Sequence, residues 1–162
     1  MISPVLLTAA AAAASIVDLR TRRVPNALTV AIATTGTAVA ATGYGRIGVV
    51  AALVGGLVGV LVMLPGHLVG QTGAGDVKLL GALGTLLGPG DTMLAFLLSA
   101  IAGGVLALVV AAHRGRLVET VGATGRLVGT AGRHAAVVED AGRNNRFAYA
   151  PAIALGAVLA GL

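Results

Sequence analysis

The 162 residues include no cysteine and no tryptophan, only two tyrosines and two phenylalanines, and just 10% charged side chains, against roughly 25% in ordinary soluble domains. Without cysteine there is no disulfide framework, no thiolate nucleophile and no cysteine-ligated zinc site, and the redox compartment is left open. The scarcity of charge excludes a soluble domain. No Lys or Arg precedes the first apolar run, MISPVLLTAAAAAASIV, so a retained first span is expected there and not a cleaved signal peptide. The chain also lacks HExxH, GxSxG and Walker sequences, and His67, His113 and His134 show no metal-ligand spacing.

Present in abundance are apolar residues, at 57% of the chain, with a mean hydropathy of +0.96. At roughly 20 residues per crossing helix, this length holds about six spans and little else. The pattern predicts an all-α polytopic transmembrane bundle forming one domain over 1–162, with spans near 2–17, 27–42, 47–69, 77–88, 92–112 and 147–162. Net charge is +5, and the basic residues are unevenly placed. Arg20, Arg22 and Arg23, Lys78, and six arginines within 113–146 fall on one side of this layout, leaving Arg46 alone on the other. The positive-inside rule puts the basic side in the cytoplasm and both termini outward. That placement explains the basic excess without nucleic acid, which is not an expected partner. The lipid bilayer is.

The 77–88 span is short and glycine-rich, and its alternative is a re-entrant segment. Crossing is favoured because otherwise the six arginines of 113–146 would leave the side of Arg20, Arg22 and Arg23. Segment 113–146 itself repeats Arg-Leu-Val and mixes valine and leucine with arginine, as a loose amphipathic stretch on an anionic leaflet would, with partner docking as the alternative. Glycines at small-xxx-small spacing (Gly55 with Gly59, Gly66 with Gly70, Gly84 with Gly88) predict close helix approach in lipid. Tyr44 and Tyr149 sit where interfacial belt residues would.

Two aspartates, Asp18 and Asp76, end up at cytoplasmic helix ends. Carboxylates at the edge of an apolar helix turn toward a polar cavity or a partner. A converging pair shares one proton: the protonated member polarises a scissile carbonyl and the ionised one takes a proton from water. Such chemistry predicts loss of cleavage at low pH. The bland alternative pairs Asp18 with Arg22, four residues on, and has Asp76 cap a helix beginning after Gly75, with Lys78 snorkelling to the headgroups. Ser15 and Ser99 are expected to bond carbonyls within their own helices, and Asp91 in GPGDT to N-cap the next helix.

As strings, Asp18-Leu-Arg-Thr-Arg-Arg-Val-Pro-Asn26 and Gly73-Ala-Gly-Asp-Val-Lys-Leu-Leu80 resemble the two signature motifs of the prepilin peptidases, or type IV leader peptidases. Tyr149-Ala-Pro-Ala-Ile-Ala-Leu-Gly156 resembles the family's C-terminal segment, with Ala148 where proline usually stands. The resemblance implies a GxGD-type membrane aspartyl protease that removes the basic leader from prepilins or pseudopilins at the cytoplasmic face. It also implies Asp18 and Asp76 as the catalytic pair. Arg20, Pro25, Asn26, Gly73, Gly75 and Lys78 are motif support, the glycines giving tight or positive-φ backbone and close substrate approach, and Pro25 fixing the turn into the second span. Larger members carry paired CxxC sequences and methylate the new N-terminus. This cysteine-free chain resembles the short peptidase-only forms of Flp-type tight-adherence systems, so no methyltransferase activity is expected. No metal or organic cofactor is implied. One rival is a non-enzymatic transporter or assembly subunit that uses the same carboxylates for protons or cations. The other is a GxGD protease acting on signal peptides.

Overall fold

The computed structural model describes residues 2–21, 24–70, 72–113 and 149–162. The basic segment 113–146, apart from His113, lies outside them, as do Arg22, Arg23 and Ala148. Six helices occur among the described residues: α1 (Ile2–Thr21), α2 (Asn26–Ala41), α3 (Val49–Leu68), α4 (Ala74–Leu87), α5 (Pro89–His113) and α6 (Ala150–Gly161). The fold is an all-helical membrane bundle. By length and composition α1, α3 and α5 hold stretches able to cross a membrane, at Pro4–Thr21, Val49–Leu68 and Pro89–Leu106, whereas α2 and α6 are shorter apolar helices.

Each helix follows from its stripe of small or apolar residues. Leu7, Ala11, Ala14 and Asp18 are the buried positions of α1, spaced four, three and four apart and therefore on one face. Asp18 thus inherits its inward direction from the alanines before it. The stripe of α2 is Thr29, Ile32, Gly36 and Ala40, and that of α3 is Ala52, Gly55, Gly59 and Met63. Outward faces are apolar too: Val50, Leu53, Leu57 and Leu61 of α3 are all exposed, the inversion expected where the surroundings are hydrocarbon.

Hydroxyls inside this apolar setting turn back onto their own helices. Ser15 donates to the Ala11 carbonyl at 2.8 Å and Ser99 to that of Ala95 at 2.6 Å, as the sequence leads one to expect. Among the described residues no buried side-chain polar atom lacks a partner.

The glycine-rich α4 is the centre of the bundle. It touches all five other helices and is buried from Leu79 to Leu87 without interruption. At about 1.5 Å per residue its 14 residues reach about 21 Å, short of a ~30 Å hydrocarbon core. Wrapped by neighbours, it has little lipid to face. Glycine makes the wrapping close: a Cβ on Gly59 would stand 2.6 Å from the Leu80 carbonyl oxygen, and one on Gly55 2.7 Å from the Gly88 backbone. The pairs Gly55/Gly59 and Gly84/Gly88 therefore interlock, and Gly88 also ends α4 with φ +82°.

The expected Gly66/Gly70 pair does no such packing. Gly66 faces Thr72, and Gly70, at φ +80° beyond the end of α3, has nothing within 4 Å of the place a Cβ would occupy. A turn, not a helix contact, uses that glycine.

Consecutive helices run antiparallel. One end of the bundle gathers the end of α1, the starts of α2, α4 and α6, and the end of α3. At the other end Arg46 donates to the Gly161 carbonyl, beside a cavity of about 90 Å³ whose lining includes Pro4, Leu87 and Asp91. Asp91 is not the N-cap expected of it, because α5 begins two residues earlier at Pro89, directly after Gly88. It sits in the helix's first turn, where a carboxylate suits the positive helix end.

Candidate active site

Asp18, one turn before the end of α1, is 6% exposed. Its Oδ2 accepts the backbone N–H of Ala150 at 3.3 Å. Ala150 opens α6, so an otherwise unpaired N–H of that helix's first turn is satisfied by a carboxylate 132 positions away. The Arg22 partner of the bland reading lies outside the described residues.

Asp76 stands in the first turn of α4, ahead of the apolar stretch that starts at Val77. The helix starts at Ala74 and not after Gly75. With Gly73 as N-cap, Asp76 is the third helical residue, and the Gly73 N–H donates to its Oδ2 at 3.2 Å. This is the reverse half of a capping box; the forward half has no donor or acceptor, because glycine has no side chain. Burial above all pushes the Asp76 carboxyl from 3.8 up to about 6; the Gly73 N–H opposes the rise and the charge of Asp18 adds to it. The two carboxyls therefore lie within electrostatic reach of one another, across the contact of α1 with α4.

A raised carboxyl links to stability with a definite sign. The folded state binds the Asp76 proton more tightly than the unfolded chain does, so this group's contribution is fully present below pH 3.8 and disappears as pH rises through about 6. Allowing for partial exposure, the change is about 2 kcal/mol. Thermal unfolding in detergent should show stability falling between pH 4 and 7 for the native chain, and a flatter profile for Asp76→Asn, which keeps an acceptor for Gly73.

The two motifs touch. A Cβ on Gly75 would meet Val24 at 3.5 Å, and Lys78 Nζ donates to Asn26 Oδ1 at 3.0 Å. Lys78 thus does not snorkel freely to the headgroups; it ties the start of α4 to the start of α2. Pro25, at φ −63°, is the N-cap of α2 and its carbonyl accepts the N–H groups of Leu28 and Thr29, so it fixes the turn as its ring geometry suggests. Gly73 is at φ −70° and Gly75 lies within the helix, so neither uses a positive φ; at Gly73 a Cβ would come 3.1 Å from Asp76 Oδ2, and the missing side chain leaves room for the acid itself. Arg20 is exposed in the last turn of α1.

Tyr149, at a position where an interfacial belt residue would sit, also makes contacts inside the bundle. It is half-buried, its hydroxyl donates to the Ser99 carbonyl at 3.2 Å, and it is within electrostatic reach of Asp76. Tyr44, by contrast, is 75% exposed in the α2–α3 turn. The contact between Asp18 and the Tyr149-Ala150 step has only one sequence signal, the Tyr-Ala-Pro string with proline in a helix's first turn. Among the described residues no three His, Cys, Asp or Glu gather as a metal site would require.

One buried acid held by a backbone N–H, within electrostatic reach of a second acid that burial favours in its protonated form, is an arrangement suited to passing protons to and from a carbonyl group. The description "type IV leader peptidase family" matches residues 5–108, a stretch containing both aspartates and both motifs but not α6. No curated protein and no solved structure matches the chain.

Proposed function

Because the chain belongs to the type IV leader peptidase family, we propose that it is an aspartic endopeptidase in which Asp18 and Asp76 cut a leader from prepilin-like substrates. The observation that carries this reading is the unequal environment of the two acids: Asp18 accepts a backbone N–H at a helix start, while burial raises Asp76 to about 6. In the proposed reaction the Asp18 carboxylate takes a proton from water as its oxygen adds to the scissile carbonyl carbon. Asp76 gives its proton to the carbonyl oxygen. The tetrahedral diol then collapses: the C–N bond breaks, a proton passes to the leaving amine, and an acid and a free N-terminus result.

The substrate enters as an apolar helix within the bilayer, its basic leader and scissile bond held at the bundle end where the aspartates lie. That end faces the cytoplasm in an inner membrane, with both chain termini outward, since it carries Arg20 and Lys78 while Arg46 stands at the other. No group for methylating the product is assigned.

The test uses the purified protein in detergent with a substrate made of a basic leader followed by an apolar helix. Cleavage should give one new N-terminus at the leader–helix boundary, identified by sequencing the product. Exchanging the leader for a signal-peptide sequence on the same helix should abolish the cut. Cleavage of the signal-peptide hybrid alone would move the assignment to a signal-peptide protease, and proton- or cation-driven flux in liposomes without any cleavage would replace it by a transporter.

A further inference from the structure

The seam between α5 and α6 consists of three rungs, each about one helical turn from the next. At the first, a Cβ on Gly156 would stand 2.5 Å from the Ala95 carbonyl oxygen and 2.7 Å from the Ser99 nitrogen, so the helices meet backbone to backbone. At the second, the Ser99 hydroxyl, already donating to Ala95, lies 3.5 Å from the Ile153 carbonyl. The third rung is Tyr149: its ring fills the space over Gly103, where a Cβ would stand 2.9 Å from Cζ, and its hydroxyl bonds the Ser99 carbonyl. Ser99 and Gly103 are four residues apart, so the tyrosine spans one turn of α5.

The first two rungs hold α6 from Ile153 onward. The third lies nearest the helix start, and the next backbone N–H after Tyr149 is the one bonded to Asp18. A helix's first turn frays most readily, because its N–H groups have no partner within the helix. The ring of Tyr149 gives that turn a rigid footing, and the hydroxyl fixes the ring's height along α5.

We propose that Tyr149 is a positioning residue of the catalytic centre: wedged on Gly103 and hydrogen-bonded to Ser99, it sets the first turn of α6 so that the Ala150 N–H holds the Asp18 carboxylate in working geometry. This rests on Asp18 being catalytic. It extends the centre to α6, beyond the matched residues 5–108. Tyr149 itself touches no reacting atom in this scheme. Its influence on Asp18 passes through one backbone donor.

The experiment measures steady-state cleavage of the leader–helix substrate by the full chain and by Tyr149→Phe, Tyr149→Ala, Gly104→Ala, Asp18→Asn and Asp76→Asn, together with the amide shift of Ala150 by NMR in micelles. Tyr149→Phe, which keeps the ring and removes one hydrogen bond, should lower kcat about tenfold and leave KM within about twofold. Tyr149→Ala should lower kcat about a hundredfold, and Gly104→Ala, altering an α5 position with nothing within 4 Å, should match the native chain. The Ala150 amide shift should move in Asp18→Asn and in Tyr149→Phe alike. Native kcat in Tyr149→Phe, or a loss carried wholly by KM, would overturn the proposal, as would an Ala150 shift that ignores either change. If Tyr149→Ala does not fold, the phenylalanine variant and the amide shift decide. Inactive aspartate variants beside a native-like Tyr149→Phe remove this inference alone, whereas an active Asp18→Asn removes the aspartic reading and this inference with it.

Discussion

Asp18→Asn and Asp76→Asn should each lower leader cleavage by at least about a thousandfold, while the protein stays folded in the membrane, since acid and base catalysis contribute roughly that much apiece. Asparagine has the shape of aspartate and an oxygen that accepts a hydrogen bond. At position 18 it still receives the Ala150 N–H, and at 76 that of Gly73. Neither replacement therefore leaves a backbone donor orphaned. What it removes is the ability to accept a proton from water or deliver one to a carbonyl. Asp→Glu at either position should be nearly as damaging, because an added methylene displaces the carboxyl by about 1.5 Å, beyond the tolerance of a positioned acid. A protein that merely binds protons or cations would tolerate that longer acid. The check is product size and N-terminal sequence, with membrane levels of each variant measured alongside, and ordinary cutting by either asparagine variant would take that residue out of the mechanism.

Much of this site is legible in the sequence because charge is so rare there. Asp18 is the first carboxylate after the chain's opening apolar run, and Asp76 is the next, set in a Gly-Ala-Gly-Asp step between two apolar runs. An all-helical membrane bundle follows from the same composition, and the observed helices keep the order expected of it. The role of α4 is not legible in that way. Hydropathy weighs a span as if it faced lipid, so a short helix full of glycine looks weak, whereas a helix enclosed by five others gains from glycine the close approach that lipid-facing leucine would prevent. Lys78 shows the same limit: its spacing from Asp76 says which face it leaves from, but its partner, Asn26, lies 52 residues away on another helix. Asp91 is displaced from the cap by a local effect, since Gly88 at φ +82° stops α4 and lets α5 begin at Pro89. Tyr149 sits in a conspicuous string, yet its use is written in Gly103 and Ser99, at the far end of a segment that no spacing rule bridges.

The second large effect is expected from Gly84→Ala, which should destabilise the bundle by about 3 kcal/mol, the upper end of what one inserted methyl does in a packed core. The added Cβ would stand 2.8 Å from the Gly55 carbonyl carbon and 3.1 Å from the Gly56 nitrogen, and the Gly55 carbonyl oxygen would be closer still. All three are backbone atoms of α3. A side chain could swing aside, but here α3 itself must retreat from α4. In lipid this separation is not offset by a hydrophobic gain, since helices associate there through van der Waals contact and small-residue fit. The retreat would also loosen α4 against α1 and α2, and so spread the gap between Asp76 and Asp18 and break the Lys78–Asn26 tie. Activity should therefore fall with stability. Gly104→Ala provides the opposite sign: its Cβ meets nothing within 4 Å, and alanine is a better helix former by about 0.5–1 kcal/mol, so that variant should be unchanged or slightly more stable. Thermal unfolding of the two variants in the same detergent checks both. A Gly84→Ala protein as stable as Gly104→Ala would mean that α3 and α4 do not meet backbone to backbone, and the central place of α4 would have to be abandoned with that contact.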